Sequence, residues 1–345
     1  MATQGPVIAI VGATGVVGNE MLRVLEERKV PHSEVRLLAS KGSVGELYAF
    51  LGEELEVQEL SQETLEGVDY ALFALDGSLA QKFVPIARAA GVTVIDNSSH
   101  YRLDNDVPLI VPEVNGTVLT GTETLIANPN CTTAQLVPVL NCIHKKAGLK
   151  RVVVSTYQAV SGAGKAALDE LWEQTRAVYT QQPVETEAFQ HQIAFNCIPQ
   201  IDVMLENGYS KEEMKVVWES RKILSIPDLP ITVTAVRVPV FHGHAESVNV
   251  ETQSPLAPSE LLEILEGAEG IAAFPQPDEY PMQVDAANSD PIYVGRVRKD
   301  ESVPNGLNMW IVADNLRKGA ALNAVQILEL VMHIRSAASH EAEAR

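Results

Sequence analysis

The first third of the chain alternates short apolar runs with stretches of helical spacing. VIAIV at residues 7–11 is a continuous apolar run of strand length, the pattern of a parallel strand covered on both faces. A glycine-rich turn follows at 12–18, and Met21, Leu22, Val24 and Leu25 then share one face of a helix over 19–28. Residues 35–39, 69–74 and 92–96 read as further strands and 79–90 as a helix. Strands alternating with helices predict a doubly wound α/β domain.

The pattern changes after residue 130. A helix is predicted over 133–147 and a strand at 151–156 opens a second domain, followed by a helix at 165–180. Residues 231–238 and 245–251 alternate apolar and polar in the manner of half-buried strands, and 293–298 and 307–313 add two more. The second domain is therefore expected to be α+β on a largely antiparallel sheet. Residues 315–335 form a last amphipathic helix, and the small, charged tail 336–345 is expected to fray. The expected division is 1–130, 131–314, and 315–345 as a C-terminal helix returning to the first domain.

At 345 residues the chain is long enough for two cores. Its formal net charge of −19 argues against nucleic acid or an anionic membrane as partner, without arguing against an anionic substrate in a locally positive pocket. No apolar stretch reaches membrane-spanning length, and residues 1–6 lack the basic and apolar regions of a signal peptide. Three cysteines make no disulfide framework and fit a reducing compartment, so a cytoplasmic location is expected. No Cys/His spacing resembles a metal site.

Two motifs carry chemistry. GATGVVG at 12–18 follows a strand and precedes a helix, where Gly12, Gly15 and Gly18 permit a tight turn and bring backbone N–H groups to a pyrophosphate. Its spacing is GxxGxxG rather than the GxGxxG fingerprint of many dehydrogenases, and such turns also occur without ligands; its place between an N-terminal strand and a helix is what suits a Rossmann-like dinucleotide site. At the end of the second strand, where the adenosine ribose should lie, Ser40, Lys41 and Ser43 stand without a carboxylate, which favours NADP over NAD.

The second motif is NPNCTT at 128–133. It sets Cys131 among polar residues ahead of an apolar helix, a position that favours thiolate. Cys142 and Cys197 lie in apolar runs and read as small buried hydrophobes. Thiol catalysis calls for an imidazole, and His242 or His244 can supply it, with His100 and His191 weaker candidates. Arg237, in an apolar strand, needs an anionic partner, and Arg102 after DNSSHY is placed to hold an anion. Glu219 and Lys222 share a helix face, either as substrate contacts or as a surface ion pair.

These stretches together resemble the aspartate-β-semialdehyde dehydrogenase family. GATGVVG at 12–18, DNSSHYR at 96–102, VPEVN at 111–115, NPNCTT at 128–133, STYQAVSGAG at 155–164, ESRKI at 219–223, RVPVFHGHAES at 237–247 and RKGAALNAVQI at 317–327 match in order. The resemblance implies NADPH-dependent reduction of L-aspartyl-4-phosphate to L-aspartate-4-semialdehyde and phosphate, a step toward lysine, methionine, threonine and diaminopimelate. It implies Cys131 as nucleophile, His244 as acid/base and Gln158 as the residue orienting the acyl-enzyme. Arg237 and Glu219 are implied to hold the substrate's carboxylate and amino group, and Arg102, Asn130 and Lys222 the phosphate. Cofactor contacts are implied at Gly12, Thr14, Gly15, Val16, Val17, Ser40, Lys41, Ser43, Ser161, Gly162 and Asn323. A homodimer or tetramer is implied, joined through the second domains. One departure is Gly42, where many members carry an arginine that grips the 2′-phosphate; a weaker NADP preference follows.

Other readings are an N-acetyl-glutamyl-phosphate reductase, a glyceraldehyde-type phosphorylating dehydrogenase, a non-catalytic paralogue, or a cysteine hydrolase. Glu219 favours a free amino group over an acetylated one. The presence of Cys131, Gln158, Arg237 and His244 disfavours the paralogue, and the glycine loop disfavours the hydrolase.

Overall fold

The structure is a computed structural model that describes residues 5–343. Along the chain it forms β1 Val7–Val11, α1 Val16–Arg28, β2 Glu34–Ala39, β3 Leu47–Phe50, β4 Glu53–Glu59, α2 Gln62–Leu65, β5 Tyr70–Phe73, α3 Gly77–Ala89, β6 Thr93–Asp96, α4 Pro112–Asn115 and β7 Leu125–Ala127. It continues with α5 Cys131–Ala147, β8 Leu149–Gln158, α6 Lys165–Tyr179, α7 Lys211–Leu224, β9 Ile231–Arg237, β10 His244–Thr252, α8 Pro258–Glu266, β11 Ile271–Ala273, α9 Gln283–Ala286, β12 Ile292–Asp300, β13 Gly306–Ala313 and α10 Leu322–Glu343. Two compact units result: one from residues up to Pro129 together with those from Ala320 on, the other from Asn130–Gly319.

The first unit holds a seven-stranded sheet in the order β3-β4-β2-β1-β5-β6-β7, parallel except where β3 meets β4. The apolar run of β1 is buried because it is a central strand, paired with β2 on one side and β5 on the other. Ile8, Ile10, Leu37, Leu72 and Ile95 of the sheet share one core with Met21 and Leu25 of α1 and Val325 and Leu328 of α10. Burying each such side chain contributes about 1.5–3 kcal/mol, so the apolar stripe of α10 is what draws the end of the chain into this unit.

Three strands here escape the sequence pattern. β3 and β4 form a hairpin whose two-residue turn, Leu51 (φ 50°) and Gly52 (φ 84°), is left-handed at both positions, as a tight hairpin requires. Their pattern is masked because Glu53, Glu54, Glu56 and Glu59 crowd β4, leaving only Leu55 and Val57 as inward markers. β7 is too short for any periodicity.

The second unit holds a six-stranded sheet, β11-β12-β13-β10-β8-β9. Pairing is antiparallel from β12 through β13 and β10 to β8, and parallel at β11–β12 and β8–β9. One face, with Val152, Val154, Val248, Val250, Met309 and Ile311, packs against Leu136, Val139 and Leu140 of α5, Val216 and Val217 of α7, and Leu261 and Leu265 of α8.

At the C-terminus the structure differs from the pattern. Arg317–Ala321 is a π-helical turn, so α10 starts later than the helix expected at 315–335. It then runs on through residues 336–343, where the sequence predicts fraying; residues 344 and 345 lie outside the described region. Alanine and glutamate are good helix formers, and no glycine or proline stops the helix there. Among the described residues, no helix is long and apolar enough to cross a membrane.

Candidate active site

Three strands of the second unit end level with one another. His244 on β10 lies opposite Gln158 on β8, and Gln158 lies opposite Arg237 on β9. Strand alternation sends all three side chains to the face that also carries Val154 and Val248, the face that α5 covers. All three are buried.

α5 begins beside this row because Asn130 caps it. The Asn130 side-chain oxygen accepts from the Thr132 N–H at 3.1 Å and from the Thr132 hydroxyl. Cys131 is therefore the first helical residue, where unpaired N–H groups favour negative charge. A thiolate at Cys131 also interacts favourably with the Arg237 cation. Gly319 lies against Cys131: a Cβ there would come within 2.7 Å of the Cys131 Cβ.

His244 is held in one tautomer. Its Nδ1 accepts from the Ala159 N–H at 3.1 Å, which places the neutral ring's proton on Nε2. Burial, and then the Arg237 charge, push its pKa down to about 3. Arg237 Nη1 donates to the Ala159 carbonyl at 2.7 Å. Both groups face Gly162 in the turn Val160–Ala163: a Cβ there would meet Arg237 Nη1 at 3.1 Å and His244 Nε2 at 3.2 Å. Of the two histidines in the HGH run, register puts His244 in the row, while His242 precedes β10 and is half-buried.

On α7, Glu219 is fully buried and accepts from the Asn130 backbone N–H at 2.6 Å, and Lys222 stands one turn further on. Ser161 is an internal brace: its hydroxyl meets Asn315 Oδ1 at 3.1 Å, and the same oxygen accepts from the Gly243 N–H at 2.9 Å. One acid in the row's neighbourhood escapes the sequence reasoning. Glu212, also on α7, accepts from Asn130 Nδ2 at 2.9 Å and from Gln158 Nε2 at 3.1 Å.

A second such acid, Glu246, follows His244 on the same strand face. It is fully buried, and neither carboxyl oxygen has a hydrogen bond of good geometry; the Gln135 side chain offsets its burial only in part. Burial raises its pKa well above the ordinary 4.5. Above pH 4.5 the unfolded chain has lost this proton and the fold must take it up, so this contribution to stability falls as pH rises toward the folded pKa. Glutamine has no proton to take up. Glu246→Gln is expected to raise the Tm by about 2–6 °C near pH 8 and by much less near pH 5, read by thermal melting at both pH values.

The first unit places the remaining candidates. Gly12 (φ +87°) is required because a Cβ there would strike the Ala74 carbonyl at 2.5 Å, and Gly18 because a Cβ would strike the Gly12 carbonyl at 2.2 Å. α1 starts at Val16, followed by Val17, after a Gly15 N-cap, with no side-chain cap and no acid in its first turn, so its N–H groups suit a pyrophosphate. The Ser43 hydroxyl approaches Thr14 Oγ1 at 3.4 Å, which sets the Ser40–Lys41–Ser43 turn beside this loop. The first carboxylate after β2 is Glu46, engaged by the Tyr48 hydroxyl at 3.1 Å. This donor set fits a dinucleotide.

Arg102 is buried and donates to the Asn97 carbonyl at 2.8 Å. Asn323 is wholly buried, and both hydrogens of its amide are committed, to the Ile110 carbonyl at 3.0 Å and Asn128 Oδ1 at 2.6 Å.

One reading is corrected. Cys197 is exposed rather than buried, because the apolar run around it is a loop and the neighbouring Phe195 (φ 58°) is 61% exposed. Cys142 is half-buried, and burial pushes its thiol up. No metal-binding cluster occurs among the described residues.

Residues 7–122 match the family described as "Semialdehyde dehydrogenase, NAD binding domain", and residues 128–318 the family described as "Semialdehyde dehydrogenase, dimerisation domain". The chain is 51% identical over 328 residues to aspartate-semialdehyde dehydrogenase 2 of Vibrio cholerae, covering 94% of this chain and 97% of that one. It is 49% identical over 331 residues to the aspartate-semialdehyde dehydrogenase of Aquifex aeolicus, with the same coverage. The crystal structure of Vibrio cholerae aspartate semialdehyde dehydrogenase II complexed with ASA superposes with a TM-score of 0.94 at 50% identity, covering 96% of this chain and 99% of that one.

Proposed function

This chain belongs to the aspartate-semialdehyde dehydrogenase family, an oxidoreductase family, and we propose that it reduces L-aspartyl-4-phosphate with NADPH to L-aspartate-4-semialdehyde and phosphate through a thioester on Cys131. The observation that carries this reading is the level row His244–Gln158–Arg237 on the sheet face covered by α5, the helix that Cys131 opens.

The Cys131 thiolate attacks the acyl carbon, and the first N–H groups of α5 stabilise the oxyanion. Phosphate leaves with the electron pair of the broken acyl–oxygen bond, balanced by Arg102 and Lys222. A bound NADPH supplies the hydride that reduces the thioester. His244 offers its Nε2 proton to the oxygen that becomes negative and recovers a proton when the aldehyde departs. Gln158 orients the acyl group, Arg237 holds the α-carboxylate, and Glu219 is the counter-charge for the amino group. ASA, the ligand of the Vibrio cholerae structure, is the product expected here. Residues 1–130 and the C-terminal helix are assigned to cofactor binding, residues 131–314 to catalysis and assembly of a homodimer, and the protein to the cytoplasm.

The test is the reverse reaction: aspartate semialdehyde plus phosphate, with NADP and NAD compared by nicotinamide absorbance. Phosphate-dependent reduction of NADP is the expected result. No turnover with either cofactor from folded protein would overturn the assignment.

Cofactor choice gives a further prediction. Gly42 has open space around it: a Cβ there would find only Ser40 Oγ, at 3.9 Å, and its φ is not left-handed. Gly42→Arg is expected to raise the ratio of kcat/KM for NADP over NAD by ~10-fold, through a forked contact to the 2′-phosphate. An unchanged ratio would place that phosphate elsewhere.

A further inference from the structure

Glu212 touches the site through two amides and one cation. Its Oε1 accepts from Asn130 Nδ2 at 2.9 Å and Gln158 Nε2 at 3.1 Å, while its Oε2 meets Lys215 Nζ at 3.0 Å. Lys215 is also bonded to Asp202 at 2.8 Å. We propose that Glu212 is a positioning residue, a shared acceptor that fixes which end of the Asn130 and Gln158 amides faces the nucleophile's helix and the His244 ring. This rests on the reaction proposed above.

With Asn130 Nδ2 committed to Glu212, its Oδ1 is turned to the Thr132 N–H and caps α5. A flipped amide would set donor against donor and uncap the helix beneath Cys131. With Gln158 Nε2 on Glu212, its Oε1 accepts from the Thr156 hydroxyl at 3.0 Å and its Nε2 stays 3.5 Å from His244 Nε2. A flipped Gln158 would point a carbonyl oxygen at a carboxylate. In either flip the amide oxygen would face Glu212 Oε1, and that penalty requires an ionised Glu212. Burial opposes that, but Lys215 and the two amides outweigh it and hold the pKa at about 2. Glu219 grips the Asn130 backbone from the same helix two turns on, so α7 clamps this residue at both its N–H and its side chain.

The test uses three variants of the whole 345-residue chain. In E212Q the Lys215 ammonium takes the new amide's oxygen and turns its NH2 toward Asn130 and Gln158, donor against donor. In E212Q/K215M that oxygen is free to serve both amides again. E212M/K215M has the same charge as the second variant but no acceptor. At a temperature well below each variant's Tm, kcat is expected to fall about 30-fold in E212Q and E212M/K215M, with KM within about 3-fold, and to recover to within about 5-fold of wild type in E212Q/K215M. Iodoacetamide modification of Cys131, followed on its own peptide by mass spectrometry, needs no substrate or cofactor. It is expected to be at least about 5-fold slower in E212M/K215M than in E212Q/K215M, because a first turn that frays without its cap no longer aims its N–H groups at the thiolate.

Equal kcat in the two double variants, or no recovery from E212Q on adding K215M, would overturn the proposal. A role confined to stability would move the Tm values and leave both ratios near one. If the wild-type protein proves inactive, the reaction proposed above fails, and the modification rates alone then decide the role of Glu212: the stated ratio supports it and equal rates refute it.

Discussion

Cys131→Ala is expected to lower phosphate-dependent turnover by at least ~10⁴-fold while the Tm stays within about 2 °C of wild type. The size follows from what the thiol does. Without it there is no thioester, and phosphate must leave from, and hydride must reach, a carbon that nothing holds covalently. The small stability effect follows from position: Cys131 is only partly buried, and the cap of its helix is made by Asn130, not by the thiol. Cys131→Ser sharpens the test. Serine keeps the size and the helix position, but its hydroxyl does not ionise near neutral pH, so α5 and Arg237 have no anion to stabilise. Serine is expected to be about as inactive as alanine. Serine activity within about 10-fold of wild type would mean that a base removes the proton, which His244 is ill-suited to do while Ala159 occupies its Nδ1 and its Nε2 carries the hydrogen.

How far the sequence reveals this site depends on whether a residue's role is local. Cys131 is legible because its own neighbours, Asn128, Asn130, Thr132 and Thr133, are too polar for the start of an apolar helix and must be serving something. Gly12 and Gly18 are legible because a tight turn is a local demand. The choice between His242 and His244 is not local: it is made by the register of β10 against β8, which one strand's pattern cannot supply. Glu212 is harder still. It lies next to Glu213, whose capping box with Ser210 is the ordinary reason for acids at a helix start, so the pair reads as a helix signal. A signal was present in the spacing, since Glu212 and Glu219 are two turns apart and share a face with Val216. Cys197 shows the converse error, where an apolar composition stands for burial although the backbone there is a loop. The hairpin of β3 and β4 is hidden by the glutamates at the exposed positions of β4, which lies between β3 and β2.

Two glycines in one turn should respond to alanine in opposite ways. Gly162→Ala is expected to lower kcat/KM by ~100-fold with the Tm unchanged or slightly raised. Its backbone is not left-handed, so alanine costs no backbone strain, but the methyl would sit 3.1 Å from Arg237 Nη1 and 3.2 Å from His244 Nε2. Those atoms are the carboxylate grip and the proton donor of the proposed mechanism, and the methyl takes the space where a substrate must meet both. Gly164, two residues on, has φ +87° and nothing within 4 Å of a Cβ. Gly164→Ala is therefore expected to cost about 1–3 kcal/mol of stability and to change kcat/KM by less than about 3-fold. Kinetics and melting on the two variants separate space at the site from strain in the turn that carries it. If Gly162→Ala kept its kcat/KM, the substrate would not pass between Arg237 and His244, and the roles given to both would have to be reassigned.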